Sequence, residues 1–543
     1  MTRRELIWRA AQSGGYGAAF LAMRSMDLLA SPLAVSTPFQ IPAGAGRGTK
    51  VAILGAGIAG LVAAYEMRKA GFECTVLEAR PRPGGRNWTI RRGAKVEFTD
   101  GTVQQCSFDE GQYFNAGPAR IPSLHKIILG YCRELGVAME VEVNTSRSTL
   151  LQSDRAFAGK PVEQREVIND ARGSVAELLA KAIRQGALDQ DVTRDDRERM
   201  LAFLRSFGDL RSDYVYAGSP RAGFRRMPGA AEVEEEGREP LPMHALLDAS
   251  FWPGVMFEEG LDYQATMFQP VGGMDRIPYA FAQKLGKTVK YSCPVKEIRK
   301  TPNGVRVVYT ERGAARSLDA AYCICALPLS ILQDTPNDLS PRVVAAIRQV
   351  GYAAGYKIAW ESRRFWEQEN NIYGGISWLS TGPISMEASN LANVWYPSGG
   401  MLSEKGVLVA GYGTETGEFG RLPSLEAKFA ASRAAVEKLH PGRGGELTKP
   451  LYVAWAKIPF NQGSWIRADG YHEGPYKEFL NPDDRVYFAG DHCSHLTTWQ
   501  EGAALSAQRA VEMIARRVRN RVASVRAATA RGKSPRIRRR VAA

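Results

Sequence analysis

The sequence predicts an α/β protein whose first unit is a Rossmann-type dinucleotide-binding fold, and three observations within residues 51–86 predict it. Val51-Ala52-Ile53-Leu54 is an apolar run long enough for one buried parallel strand. Gly55-Ala56-Gly57-Ile58-Ala59-Gly60 follows at once and leads into a helix-forming stretch, Leu61 to Lys69, that contains no proline. A second strand, Glu73 to Leu77, then ends at an acid, Glu78.

Each part of this unit has a physical task. Gly55 permits the tight turn out of the strand, Gly57 lets backbone approach a pyrophosphate, and Gly60 lets helix and strand pack closely. The helix N-terminus, at Ile58 and Ala59, offers unpaired N–H groups and partial positive charge to phosphates. Glu78 stands where a carboxylate accepts hydrogen bonds from a ribose diol. Glu78-Ala79-Arg80-Pro81-Arg82-Pro83-Gly84-Gly85-Arg86 adds a second glycine pair and several arginines. Gly85 again allows close approach, and Arg86 can neutralise phosphate.

Nicotinamide-dependent Rossmann domains do not usually continue this way. In these residues the chain resembles the FAD-dependent amine oxidase family, which includes monoamine oxidases, L-amino acid oxidases and tryptophan monooxygenase. The resemblance covers most of residues 50–515. It implies FAD as cofactor, a Rossmann-type FAD-binding domain, a mixed-sheet substrate-binding domain and a helical insertion. Laid on this chain, residues 1–49 are an N-terminal arm. Residues 50–122, 268–345 and 451–515 form a discontinuous FAD domain. Residues 231–267 and 346–450 form the substrate domain, 123–230 the helical domain, and 516–543 a basic disordered tail.

The elements follow in order. Residues 89–112 alternate weakly and read as short strands. Two prolines and a glycine make Tyr113 to Pro122 a fixed loop, and Ser123 is expected to cap a helix running to Leu135. In the L-amino acid oxidase branch the matching Gly117-Pro118-Ala119-Arg120 loop runs along the flavin, and its arginine pairs with the substrate carboxylate. A planar fork of N–H donors suits a carboxylate better than an ammonium does. Residues 140–250 read as mostly helical, with Val162 to Arg184 and Thr193 to Phe207 rich in helix formers. Phe268 to Asp275 resembles the return into the FAD domain. Val295 matches the residue whose backbone meets the adenine.

Tyr356 to Trp360 reads as a strand of the substrate domain. Within it, Lys357 aligns with the family lysine that holds a water at flavin N5. Of Trp395 and Tyr396, Tyr396 is chosen as the hydroxyl giving the carboxylate a second hydrogen bond. Arg485 to Asp491 is a strand ending in Gly490-Asp491, the family's second flavin fingerprint. Trp499, Gln500 and Ala503 open the last helix, whose N-terminal dipole would face the flavin pyrimidine carbonyls. Trp465 and Trp499 occupy the places of the two aromatics that flank the amine. Ser464 stands where covalent members carry a cysteine, so FAD is expected to bind non-covalently.

Bulk properties limit the alternatives. No run of 18 apolar residues exists, so no spanning helix is expected. The net charge is +14, but residues 516–543 hold eleven Lys or Arg and no acid, leaving about +3 for the rest. The excess is read as a solvated terminus, with no nucleic-acid partner. Seven cysteines without a CxxC pair fit a reducing, cytoplasmic compartment. Thr2-Arg3-Arg4 looks like a twin-arginine export signal, but Arg24 and Asp27 interrupt the apolar segment, favouring an amphipathic N-terminal helix. His492, Cys493 and His495 lie inside the flavin fingerprint, and no further ligand set accompanies them. No GxSxG elbow supports hydrolase chemistry.

The expected reaction is oxidation of an L-amino acid, of large apolar or aromatic side chain, to a 2-oxo acid by way of dioxygen, with ammonia and hydrogen peroxide released. The expected assembly is a homodimer or higher homo-oligomer. The alternatives are a tryptophan- or lysine-like 2-monooxygenase giving an amide, and an amine oxidase. Arg120 speaks against the last, since a simple amine has no carboxylate to bind.

Overall fold

The computed structural model describes residues 39–380, 393–415, 417–467 and 469–532. Strand Lys50–Leu54 is buried on both faces from Val51 onward, which is why it reads as a continuous apolar run. It sits at the centre of a five-stranded parallel sheet in the order Val289–Lys290, Glu73–Leu77, Lys50–Leu54, Tyr322–Cys325 and Val486–Phe488. Helix Ile58–Lys69 packs on one face together with the long C-terminal helix Gln500–Gly532. A Cβ on Gly60 would lie 2.0 Å from the Gly55 carbonyl oxygen, so only glycine lets this helix sit so close to the turn. The other face packs on an antiparallel sheet of Val295–Thr301, Gly304–Glu311 and Ala314–Ala320.

A seven-stranded mixed sheet carries the second core. Its order is Val162–Glu163, Leu150–Ser153, Ile376–Ser380, Asn393–Trp395, Lys405–Thr414, Gly355–Arg363 and Thr448–Ala454. Every neighbouring pair is antiparallel except Leu150–Ser153 with Ile376–Ser380. Tyr356, Trp360, Phe365, Trp366 and Tyr452 fill its interior. Helices Gln164–Arg184 and Arg194–Phe207 pack on one another outside it, sharing Ala176, Ala180, Ile183 and Leu204. The Thr193 hydroxyl caps the second helix by accepting the Asp196 N–H at 3.1 Å.

The structure departs from the sequence expectations in three places. Strands Leu150–Ser153 and Val162–Glu163 lie in the stretch read as helical, yet they form one edge of the large sheet. The helix expected after Ser123 begins only at Lys126, and its cap comes from far along the chain. The Glu501 carboxylate accepts the Ile127 and Ile128 N–H groups at 3.0 and 2.8 Å. The C-terminal helix continues to Gly532, so the first part of the expected disordered tail is helical.

All seven cysteines are free thiols. Among the described residues no helix is long and apolar enough to cross a membrane. The N-terminal arm as far as residue 38, with its twin-arginine or amphipathic reading, and tail residues 533–543 lie outside the described residues.

Candidate active site

Parallel sheets of this kind bind ligands beyond the carboxyl ends of their strands. A cavity opens there, running from the glycine turn after Leu54 across to the large mixed sheet. Gly55, at φ +97°, makes the turn, and Gly57, Ile58 and Ala59 line the cavity floor. A Cβ on Gly57 would meet nothing within 4 Å, so the backbone there faces free space. The Glu78 carboxylate is fixed at the rim by the N–H groups of Ala56 (2.7 Å) and Arg80 (2.9 Å). Ala79, Arg80 and Val295 line the same end, and the Arg80 guanidinium donates to Asn461 Oδ1 and the Pro459 carbonyl.

Midway along, Gly85 (φ +56°) turns the chain and Arg86 forms a paired contact with Asp491. Burial opposes ionisation of Asp491, but the Arg86 guanidinium outweighs it and holds the carboxyl below its ordinary range. Arg86 also donates to the Ser464 carbonyl at 2.6 Å. Gly490, Asp491, Trp499, Gln500 and Ala503 line the cavity where the C-terminal helix begins, presenting that helix's N-terminal end to it. Of the glycine-turn residues expected to bind cofactor, Gly60 alone is absent from the lining; its work is the close packing described above.

The loop Ala116 to Arg120 crosses the cavity. A Cβ on Gly117 would lie 1.9 Å from the Arg86 carbonyl, so the crossing requires glycine. The loop is pinned through its carbonyls. Lys357 Nζ donates to the Asn115 and Gly117 oxygens at 3.1 and 2.5 Å, and Trp455 Nε1 donates to the Ala116 oxygen at 2.9 Å. Burial, reinforced by the charge of Arg120, pushes the Lys357 amine down to about 7. Pro118, Ala119 and Arg120 are thereby laid along the cavity wall.

Arg120 and Lys357 therefore share one chamber with Trp465 and Trp499. Arg120 is 9% exposed, and its guanidinium carbon lies 4.3 Å from the Trp395 ring centre, 5.0 Å from Tyr263 and 5.5 Å from Phe257. Its Nη1 is buried without a hydrogen-bond partner. Tyr412 meets Trp465 edge-on at 6.2 Å, and Tyr263 meets Trp499 at 6.0 Å.

One expected contact is corrected. Tyr396 does not line the cavity; it is buried in the mixed-sheet core, where its hydroxyl meets Ser377 Oγ at 2.9 Å and His440 Nε2 at 2.6 Å. Its neighbour Trp395 lines the chamber instead, because adjacent residues of an extended segment point to opposite faces. Tyr263 and Tyr412 supply the hydroxyl-bearing rings there, and Asn87, Trp455 and Asn461 also line the cavity. The sequence carries no local motif for any of these. His492 lines the cavity, Cys493 is buried in the neighbouring core, and the His495 ring stacks on His472 at 4.4 Å.

The donor set fits a flavin dinucleotide. A helix N-terminus with open space at Gly57 suits the pyrophosphate, a fixed carboxylate suits a ribose, and a second helix N-terminus faces the far end. Residues 58–515 match the family of flavin containing amine oxidoreductases. The flavin-dependent L-tryptophan oxidase RebO of Lentzea aerocolonigenes is 26% identical over 501 residues, 85% of this chain and 98% of its own. The L-amino-acid oxidase of Siganus canaliculatus is 28% identical over 491 residues, 86% of this chain and 85% of its own. Among solved structures, putrescine oxidase bound to putrescine is similar in fold, with a TM-score of 0.55 at 18% identity, over 86% of this chain and 98% of that one. With the match covering well over half of the chain, the mixed sheet and most of the cavity lining included, the chain belongs to the flavin containing amine oxidoreductase family.

Proposed function

We propose that the protein is an FAD-dependent L-amino acid oxidase, converting L-amino acids to 2-oxo acids with release of ammonia and hydrogen peroxide. The observation that carries this reading is Arg120: a buried, aromatic-caged guanidinium with an unpaired N–H inside the flavin chamber. A buried donor left unpaired costs free energy, and a substrate carboxylate supplies the missing partner. The relatives named as L-amino acid oxidases support the same substrate class.

Bound FAD would supply the electron acceptor for the hydrogen leaving the substrate Cα. The residues of the chain do the rest. Arg120 fixes the carboxylate, with the hydroxyls of Tyr263 and Tyr412 in the same chamber. Burial raises the Tyr412 phenol above its ordinary range, which keeps it a hydrogen-bond donor. Trp465 and Trp499 flank the amine and exclude water. Lys357, held on two loop carbonyls, orders water beside the reacting centre. With these aromatic walls the chamber suits large apolar or aromatic side chains. Arg86, Asp491, Glu78 and the first glycine turn hold the cofactor.

FAD is held non-covalently in this reading. Ser464 Oγ is committed to the Ala353 carbonyl (2.6 Å) and the Gly355 N–H (3.0 Å), and a hydroxyl forms no thioether. Acid precipitation of the yellow protein is expected to leave all flavin in the supernatant; flavin retained in the washed pellet would reject this. The function itself is tested with a panel of L-amino acids and their matching amines. L-Phenylalanine and L-tryptophan should give peroxide, ammonia and the 2-oxo acid, and phenethylamine should give nothing. An amide product would instead identify a monooxygenase, and equal turnover of the amines would remove the role of Arg120.

A further inference from the structure

Arg120 has a second anion near it besides the one it is proposed to bind. Strand Met139–Glu142 ends at Glu142, which pairs with Met267, and Met267 in turn pairs with Pro122. The three-stranded sheet so formed brings Glu142 beside the loop that carries Arg120. Glu142 Oε2 is buried with no hydrogen-bond partner, as is Arg120 Nη1. A carboxylate and a guanidinium thus lie within electrostatic reach of each other, each with an unpaired polar atom. Buried polar atoms are rarely left so without a functional reason.

We propose that Glu142 is a positioning residue that counter-charges Arg120 in the free enzyme and takes up a proton when a substrate carboxylate docks on Arg120. The proposal rests on the reading of Arg120 as the carboxylate anchor. One buried guanidinium does not sustain two neighbouring carboxylates in their charged forms, so arrival of the second favours protonation of the first. Burial pushes Glu142 up to about 7, with Arg120 pulling the other way, so its neutral form is within reach near neutral pH.

Other charged groups stand around Arg120 and Glu142. Glu140, on the same strand, is engaged by Gln269 at 2.8 Å. Glu258, from the segment above Arg120, is pushed above its ordinary range by burial, with the Thr145 hydrogen bond, Arg147 and Arg120 pulling the other way. Lys357 shares the field of Arg120 from the mixed sheet and also titrates near neutrality. The sign is fixed by linkage. Below about pH 7 Glu142 is already protonated, binding takes up nothing, and affinity is flat. Above it, binding draws in a proton and affinity falls by up to tenfold per pH unit.

The test uses the FAD-loaded enzyme and 3-phenylpropanoate, a carboxylate with no amine to titrate. Calorimetry in two buffers of different ionisation enthalpy counts the protons taken up. Near one proton per carboxylate is expected at pH 8, and near none at pH 5.5. Glu142→Gln should abolish the uptake and bind about tenfold more tightly than wild type at pH 8, because the amide brings no competing charge. Lys357→Met should retain the uptake. Binding without proton uptake at pH 8, or uptake that survives in Glu142→Gln and vanishes in Lys357→Met, overturns the role of Glu142 and leaves Arg120 untouched. Saturable binding absent from wild type overturns the Arg120 reading, and this one with it. If Glu142→Gln does not fold, the wild-type affinity profile decides: a flat line through pH 8 rejects the proposal.

Discussion

Arg120→Ala lowers kcat/KM for L-amino acids by roughly 30-fold to several thousand-fold while the purified protein stays yellow. The range follows from the about 2–5 kcal/mol lost when one partner of a buried, hydrogen-bonded charge pair is truncated. The upper end applies where the chamber offers no substitute, and around Arg120 the groups are aromatic: Trp395, Tyr263 and Phe257. In the alanine variant a substrate carboxylate would enter a desolvated aromatic box with Lys357 in the same cavity. Lys357, whose charge burial disfavours, is committed to the Asn115 and Gly117 carbonyls. Arg120→Lys should recover only part of the loss, since an ammonium does not reproduce the flat guanidinium lying 4.3 Å from the Trp395 ring. Steady-state kinetics beside the flavin absorbance of each variant check both. Wild-type kcat/KM in Arg120→Ala would remove the carboxylate anchor.

The parts of the site that could be read in advance are those whose physics is local. Gly55, Gly57 and Gly60, the strand before them and Glu78 after them lie within 30 residues, and their spacing alone requires a turn, a close approach and a carboxylate rim. The prolines and glycine of Tyr113 to Pro122 marked a fixed loop in the same local way, whereas the place of Gly117-Pro118-Ala119-Arg120 in the site was implied by the family resemblance. Tyr396 shows where that legibility ends. Two adjacent aromatics, Trp395 and Tyr396, leave a strand on opposite faces, and composition does not say which face meets the chamber; the register of Asn393–Trp395 against Lys405–Thr414 and Ile376–Ser380 does. Tyr263 and Tyr412 reach Arg120 and Lys357 from segments far apart in sequence, without any motif of their own. Strand Leu150–Ser153 was hidden because its second partner, Ile376–Ser380, lies more than 200 residues away, and the edge strand Val162–Glu163 forms on it. Glu501, capping the helix at Ile127 and Ile128, is hidden in the same way: a side chain from the last helix satisfies backbone groups more than 370 residues earlier.

Asp491→Ala is expected to cost about 1–3 kcal/mol of stability, because it leaves the half-buried Arg86 charge without its partner. The cost belongs to the orphaned guanidinium more than to the lost attraction. Hence the double variant Arg86→Met/Asp491→Leu should melt well above Asp491→Ala, with flavin content reduced in both because the cavity wall between the two fingerprints is disturbed. Thermal unfolding followed by tryptophan fluorescence, with released flavin measured in parallel, separates the two effects. A double variant no more stable than Asp491→Ala would show that shape, not charge, sets the cost. The pH dependence gives an independent check. Arg86 holds the Asp491 carboxyl below its ordinary range, so its stabilisation is complete above an unfolded value of about 4 and is lost as pH falls through the lower native value. Acidification through that window should therefore destabilise the wild type by a step that Asp491→Ala lacks, since the alanine variant has already forfeited what the proton would remove.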